Sequence, residues 1–204
     1  QPAEAIGHQH VPGAQARLMG VDVQINAEGL REKYSRISIG EKKRILMLGD
    51  SVTFGWGVPQ SETVAARLEQ ALTRTVDDPV SVINAGVGNY NTAMEVAWFE
   101  RHGLKYEPDM VVLNIFINDA EPTPLYANTS WWDRQLYSRV ILFGAVDTVA
   151  RVALGGPDWK DYYQGLYSER AAGWHAMQTA VSRLADLCRA QNIPLIIANY
   201  PELR

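Results

Sequence analysis

Four apolar runs constrain the fold of this chain more than any other feature. They are "RILMLG" (44–49), "VSVINAG" (80–86), "MVVLNIF" (110–116) and "IPLIIAN" (193–199). Each is rich in Val, Ile and Leu and barely alternates with polar residues, the pattern of parallel strands covered on both faces. Helical periods lie between them. Val64, Leu68 and Leu72 recur every four residues. Thr92 and Glu95 have the spacing of a capping box at the head of "AMEVAWFERHG", and Gly103 is placed to stop that helix. A longer helical stretch is expected at roughly 167–191, before the last run. This alternation predicts a doubly wound α/β sheet over residues 41–204.

Residues 1–40 read differently. Pro2, Pro12 and several glycines are followed by "VDVQIN", which alternates like an edge strand. We read this part as an N-terminal arm or small hairpin laid on the main domain. The chain has 204 residues, with 19 Lys and Arg against 23 Asp and Glu, a net charge of −4. No basic excess points to a nucleic-acid partner. Cys188 is the only cysteine, so no intramolecular disulfide forms, and no Cys/His cluster has zinc spacing. Its setting, "LADLCRA", is that of a small core residue. The most apolar stretch, "VILFGAVDTVARVAL", is interrupted by Asp147 and Arg151 and falls short of a membrane span. The oligomeric state is not legible.

In open α/β sheets ligands bind beyond the carboxyl ends of the strands. Three such ends carry small, polar or amide residues: Gly49-Asp50-Ser51, Asn84 to Asn91, and Asn118-Asp119. Ser51 has two readings. It is a helix cap, a role that Asp50 and Ser51 both suit, or it is a nucleophile. A serine nucleophile needs a base to remove its proton and donors aimed at a developing oxyanion. A serine at a strand-to-helix turn offers its own N–H. Gly88 lets a second backbone N–H approach, and the Asn118 amide supplies a third donor. For Asp50, hydrogen bonding that orients the loop is preferred to any metal role. Gly86 and Gly88 also begin a "GxGxxN" pattern, but a dinucleotide fingerprint wants glycine where Asn91 stands.

At these residues the chain resembles the SGNH (GDSL-like) hydrolases. "GDS" at 49–51 matches the family's first block, "NAGVGNYNT" the second and "IND" at 117–119 the third, in order; "INAEGLRE" upstream extends the likeness to roughly residues 28–204. The family's usual glycine two residues before the Asn is Phe116 here. The resemblance implies a flavodoxin-like three-layer α/β/α sandwich with a mostly parallel sheet. It implies Ser51 as nucleophile, with Ser51 N–H, Gly88 N–H and the Asn118 amide as the oxyanion hole. It also implies hydrolysis of a small-molecule or polysaccharide ester, removing acyl groups such as acetyl from sugars or lipids, without a cofactor. By the same analogy an extracytoplasmic location is favoured.

The family's base is a histidine in a late Asp-x-x-His block, and this chain has none. His8 and His10 sit in the arm, His102 ends the second helix on the rim opposite Ser51, and His175 lies in the helix before the last strand. The acid–histidine pair is therefore expected beyond Arg204. The rival expectation is a non-catalytic carbohydrate- or acyl-binding module that keeps the pocket without the base. Trp131 and Trp132, in "YANTSWWDRQLY", either flank a pocket or pack a helix.

Overall fold

The structure, a computed structural model, describes residues 6–37, 42–123 and 159–200. Trp131, Trp132 and the apolar stretch at 140–154 lie outside these residues. The first element is an antiparallel hairpin of β1 (Gln15–Leu18) and β2 (Val21–Gln24). Its two-residue turn holds Met19 and Gly20 at φ 50° and 80°, both positive, as a turn matched to strand twist requires.

The four apolar runs form the main sheet: β3 (Lys43–Leu48), β4 (Val80–Asn84), β5 (Met110–Ile115) and β6 (Leu195–Asn199). All pairings are parallel, in the order β4-β3-β5-β6. The first connection runs outward to β4 and the next returns across β3 to β5. Chain direction in the sheet thus reverses between β3 and β5, where doubly wound folds open a crevice at the strand ends.

Successive strand residues point to opposite faces; both faces are covered at β3, β4 and β5, whereas the edge strand β6, expected from its apolar run to be covered too, leaves Ile196 and Ile197 about half exposed. Leu46, Leu48, Ile83, Val111 and Leu113 pack against α3 (Thr92–His102), through Val96 and Phe99. The same face packs against α5 (Ala172–Ala190), through Ala180, Leu184 and Cys188. Met47, Val82 and Val112 face α2 (Val64–Thr75) and its Val64, Ala65, Leu68 and Leu72. The result is the three-layer α/β/α arrangement. Leu113 is fully buried, and truncation to Ala would cost about 2–5 kcal/mol. Ile6, also fully buried, enters the larger core beside Leu30, Tyr90 and Tyr106.

Helix ends depart from expectation at three places. Asn91 caps α3, accepting from Met94 N–H at 3.0 Å. Thr92 instead pairs with Asp119, and the Glu95 carboxylate turns inward, so the capping box does not form. Gly103 continues in right-handed conformation into a short 3₁₀ turn (Gly103–Tyr106). It is glycine for space, since a Cβ there would lie 2.2 Å from the Phe99 ring. The long helix begins at Ala172 rather than near 167, because α4 (Trp159–Leu166) ends in a turn whose Tyr167 side chain reaches the β5 loop. Among the described residues no helix is long and apolar enough to cross a membrane.

Candidate active site

The first loop leaves β3 through Gly49 and Asp50 into the single-turn helix α1 (Ser51–Phe54). A Cβ on Gly49 would lie 2.0 Å from Thr53 Oγ1 and 3.2 Å from Asn114 Cβ, so only glycine fits. Asp50, 3% exposed, is the cap: its Oδ1 accepts from Val52 N–H at 2.8 Å. Ser51 is therefore the first helical residue and not the cap. It is half-buried, and among the described residues no hydrogen bond engages its hydroxyl. Its N–H is one of the orphan donors at a helix start. Gly55, at φ 85°, closes the helix. The buried Arg31 guanidinium then braces the turn, donating to the carbonyls of Phe54 (2.9 Å), Gly55 and Val58 (2.5 Å) while lying over the Phe54 ring.

The second loop is laid directly on the first. Val87 N–H donates to Gly49 O at 3.0 Å, and Asn84 Nδ2 donates to Thr53 O at 2.8 Å. Gly86 meets the α1 backbone, where a Cβ would stand 2.3 Å from Phe54 N. Gly88 follows in a β-turn closed by Tyr90 N–H to Val87 O at 3.2 Å, with Asn89 left-handed at φ 62°. The half-exposed Trp56 indole borders Gly88.

The third loop leaves β5 on the other side of β3. Asn114, at the end of that strand, donates from Nδ2 to Leu48 O at 2.9 Å and accepts from Tyr200 O–H. The turn 116–119 carries Asn118, half-buried, with its amide oxygen buried and without a hydrogen-bond partner among the described residues. Asp119 fixes this turn: Oδ2 accepts from Phe116 N–H at 2.5 Å, and Oδ1 pairs with the Thr92 hydroxyl at 3.1 Å. Tyr167 O–H donates to the Phe116 and Ile117 carbonyls, each at 3.1 Å. Burial, reinforced by the Asp50 charge, raises the Asp119 carboxyl to about 7. Glu95, fully buried beneath, is raised well above the carboxylate range by burial and by Asp119 and Asp50.

Ser51, Gly88 and Asn118 thus sit on the loops that follow three adjacent strands. No histidine among the described residues hydrogen-bonds Ser51. His8 contacts Gly88 O, and His10 contacts Gly29 O and packs on Phe54. His102 lies at the far end of α3 against Trp98, and His175 contacts Glu169 O. Of the bracing residues, Arg31, Asn114 and Tyr167 are not singled out by the sequence reading, and Asn84 and Asp119 are named in it only as strand-end residues, without a bracing role. One signal was present: Asn84 and Asn114 are the amides that interrupt the runs "VSVIN" and "MVVLN", and both are buried. Among the described residues no cluster of His, Cys, Asp and Glu has the arrangement to hold a metal ion.

Comparison with solved structures returns AlinE4, an SGNH-hydrolase family esterase, at 23% identity over 78% of this chain and 77% of that one, with a TM-score of 0.38. It also returns the psychrotrophic esterase EstA from Pseudoalteromonas sp., at 15% identity over 78% of each chain and a TM-score of 0.38. A lipase/acylhydrolase from Enterococcus faecalis matches at 19% identity over 75% and 74%, with a TM-score of 0.36. No curated protein matches the chain. The GDSL-like Lipase/Acylhydrolase family matches residues 47–202, from within β3 to just past β6. The chain belongs to the GDSL-like lipase/acylhydrolase family.

Proposed function

We propose that the protein is a serine-dependent ester hydrolase that removes acyl groups through an acyl-enzyme. One observation carries the reading: Ser51 begins a helix whose cap is its neighbour Asp50, leaving its hydroxyl without a structural bond among the described residues. Ser51 Oγ attacks the acyl carbonyl carbon. The oxyanion accepts hydrogen bonds from Ser51 N–H, Gly88 N–H and the Asn118 amide. Collapse of the tetrahedral intermediate breaks the bond to the alcohol, and water then releases the acid. The attack needs a base to take the Ser51 proton and return it to the leaving alcohol, and residues 1–204 hold no Asp-x-x-His block. Acetyl and other short acyl esters of carbohydrates are the first substrates to try.

The test is turnover of a short-chain chromogenic ester by the natural full-length protein, with intact mass after treatment with a serine-directed fluorophosphonate. Turnover abolished by Ser51→Ala, with an adduct mapped to Ser51, is the expected result. Absence of both turnover and adduct would overturn it in favour of a non-catalytic binding module.

A further inference from the structure

We propose that His8 is a positioning residue for the oxyanion glycine, acting as a clasp on the Val87–Tyr90 turn. The inference rests on the hydrolase reading above. Gly88 and Asn89 are the two central residues of that turn. Asn89 is left-handed and Gly88 is not among the glycines with positive φ, the φ signs of a type II turn. Type II turns usually place glycine where Asn89 stands, whereas Gly88 sits at the preceding position and has no Cβ to restrict its rotation. The peptide between them can therefore flip toward the type I form, which would relieve the left-handed Asn89.

The structure supplies the group that opposes this flip. His8 Nε2 lies 2.7 Å from the Gly88 carbonyl oxygen. A carbonyl only accepts, so Nε2 carries the proton and donates. The bond is to the oxygen of the 88–89 peptide, the one that a flip would turn; the Gly88 N–H belongs to the preceding peptide and is steadied through the Gly88 Cα that the two share. His8 is held in turn from several sides. Tyr90 O–H donates to the His8 carbonyl, and the His8 ring meets the Tyr90 ring edge-on at 5.1 Å. Ile6, two residues earlier, is fully buried in the main core. The clasp is thus reciprocal: the histidine ring holds the glycine peptide, and the tyrosine of that same turn holds the histidine backbone. It joins residues 80 positions apart.

Three variants of the full-length protein separate the bond from ring packing. His8→Ala removes both, His8→Phe keeps the ring alone, and His8→Gln keeps a donor alone. We expect kcat to fall about tenfold in His8→Ala and His8→Phe with KM within about twofold. His8→Gln should recover most of the loss. The amide NMR resonances of Gly88 and Asn89 should move in the Ala and Phe variants and return toward wild type in Gln. Equal kcat in wild type and His8→Ala would overturn the clasp, as would rescue by Phe and not by Gln. If Ser51→Ala leaves turnover unchanged, the hydrolase reading fails instead, and the clasp is then judged on the two amide resonances alone: unmoved resonances overturn it, displaced ones support it.

Discussion

The two loops proposed to bind the oxyanion are secured in opposite ways. The Gly88 loop is held through its backbone and by close packing. Gly86 presses on the α1 backbone, Val87 N–H bonds Gly49 O, and His8 reaches the Gly88 carbonyl from outside. The Asn118 turn is held from beneath by side chains: Asp119 on Phe116 N–H, Thr92 on Asp119, and Tyr167 on two carbonyls. Of these Asp119 titrates near neutrality. The contrast teaches that pH acts on one arm through its supports, while volume acts on the other.

The largest effect should come from Asp119. Its carboxyl sits at about 7 in the folded protein against 3.8 for the ordinary group. The folded state therefore keeps the proton that the unfolded chain releases. The associated stability is fully present below about pH 4, declines as pH rises from about 4 to about 7, and is gone above; the change is on the order of 4 kcal/mol. Denaturant unfolding across this range should show the decline in wild type and a flatter profile in Asp119→Asn. An unchanged slope would remove Asp119 as the titrating support.

Asn118→Ala should lower turnover by two to three powers of ten, about 3 kcal/mol of barrier, while the unfolding midpoint stays near wild type. Steady-state kinetics with a short-chain ester checks this, and unchanged turnover would take Asn118 out of the mechanism. Gly86→Ala attacks the other arm by volume alone. The added methyl would meet backbone rather than a flexible side chain, so stability should fall by about 1–3 kcal/mol at every pH. A pH-dependent loss would erase the contrast between the arms. Tyr167→Phe should be the mildest, costing about 1 kcal/mol for the lost hydrogen bonds and a several-fold drop in kcat. The Tyr167 hydroxyl, raised to about 12 by burial and then by the Asp119 charge, stays protonated as the donor throughout.

The sequence makes the sheet legible because strands covered on both faces must be largely apolar, and "RILML", "VSVIN" and "MVVLN" are; "PLIIAN" is as apolar, although at the edge its Ile196 and Ile197 stay about half exposed. Three of the four strand ends also announce themselves, because small and amide residues are required where loops pack on one another. The supports are a different matter. Tyr167 meets Phe116 and Ile117 across some fifty positions, and His8 meets Gly88 across 80. Such contacts leave no periodic trace. The cap of α3 misled for a local reason: Thr92 and Glu95 satisfy the capping spacing, but Asp119 claims the threonine hydroxyl and burial claims the glutamate. Asn91, one residue earlier, takes the cap with its Oδ1 while its Nδ2 donates to Glu121 O.

The placement of β3 has a consequence for how the molecule assembles. It is the first strand of the main sheet to be synthesised, and it lies between β4 and β5, with β6 beyond β5. Each later strand thus finds its neighbour already made, and the sheet can grow outward in the order of translation. The segment around Ile6 and His8 is made earlier still, yet its partners at residues 87–106 come long after. Closing so long a loop carries an entropic penalty that short-range pairing does not. The segment around Ile6 and His8 is thus set to dock late, and its hold on Gly88 closes only once the sheet behind it exists.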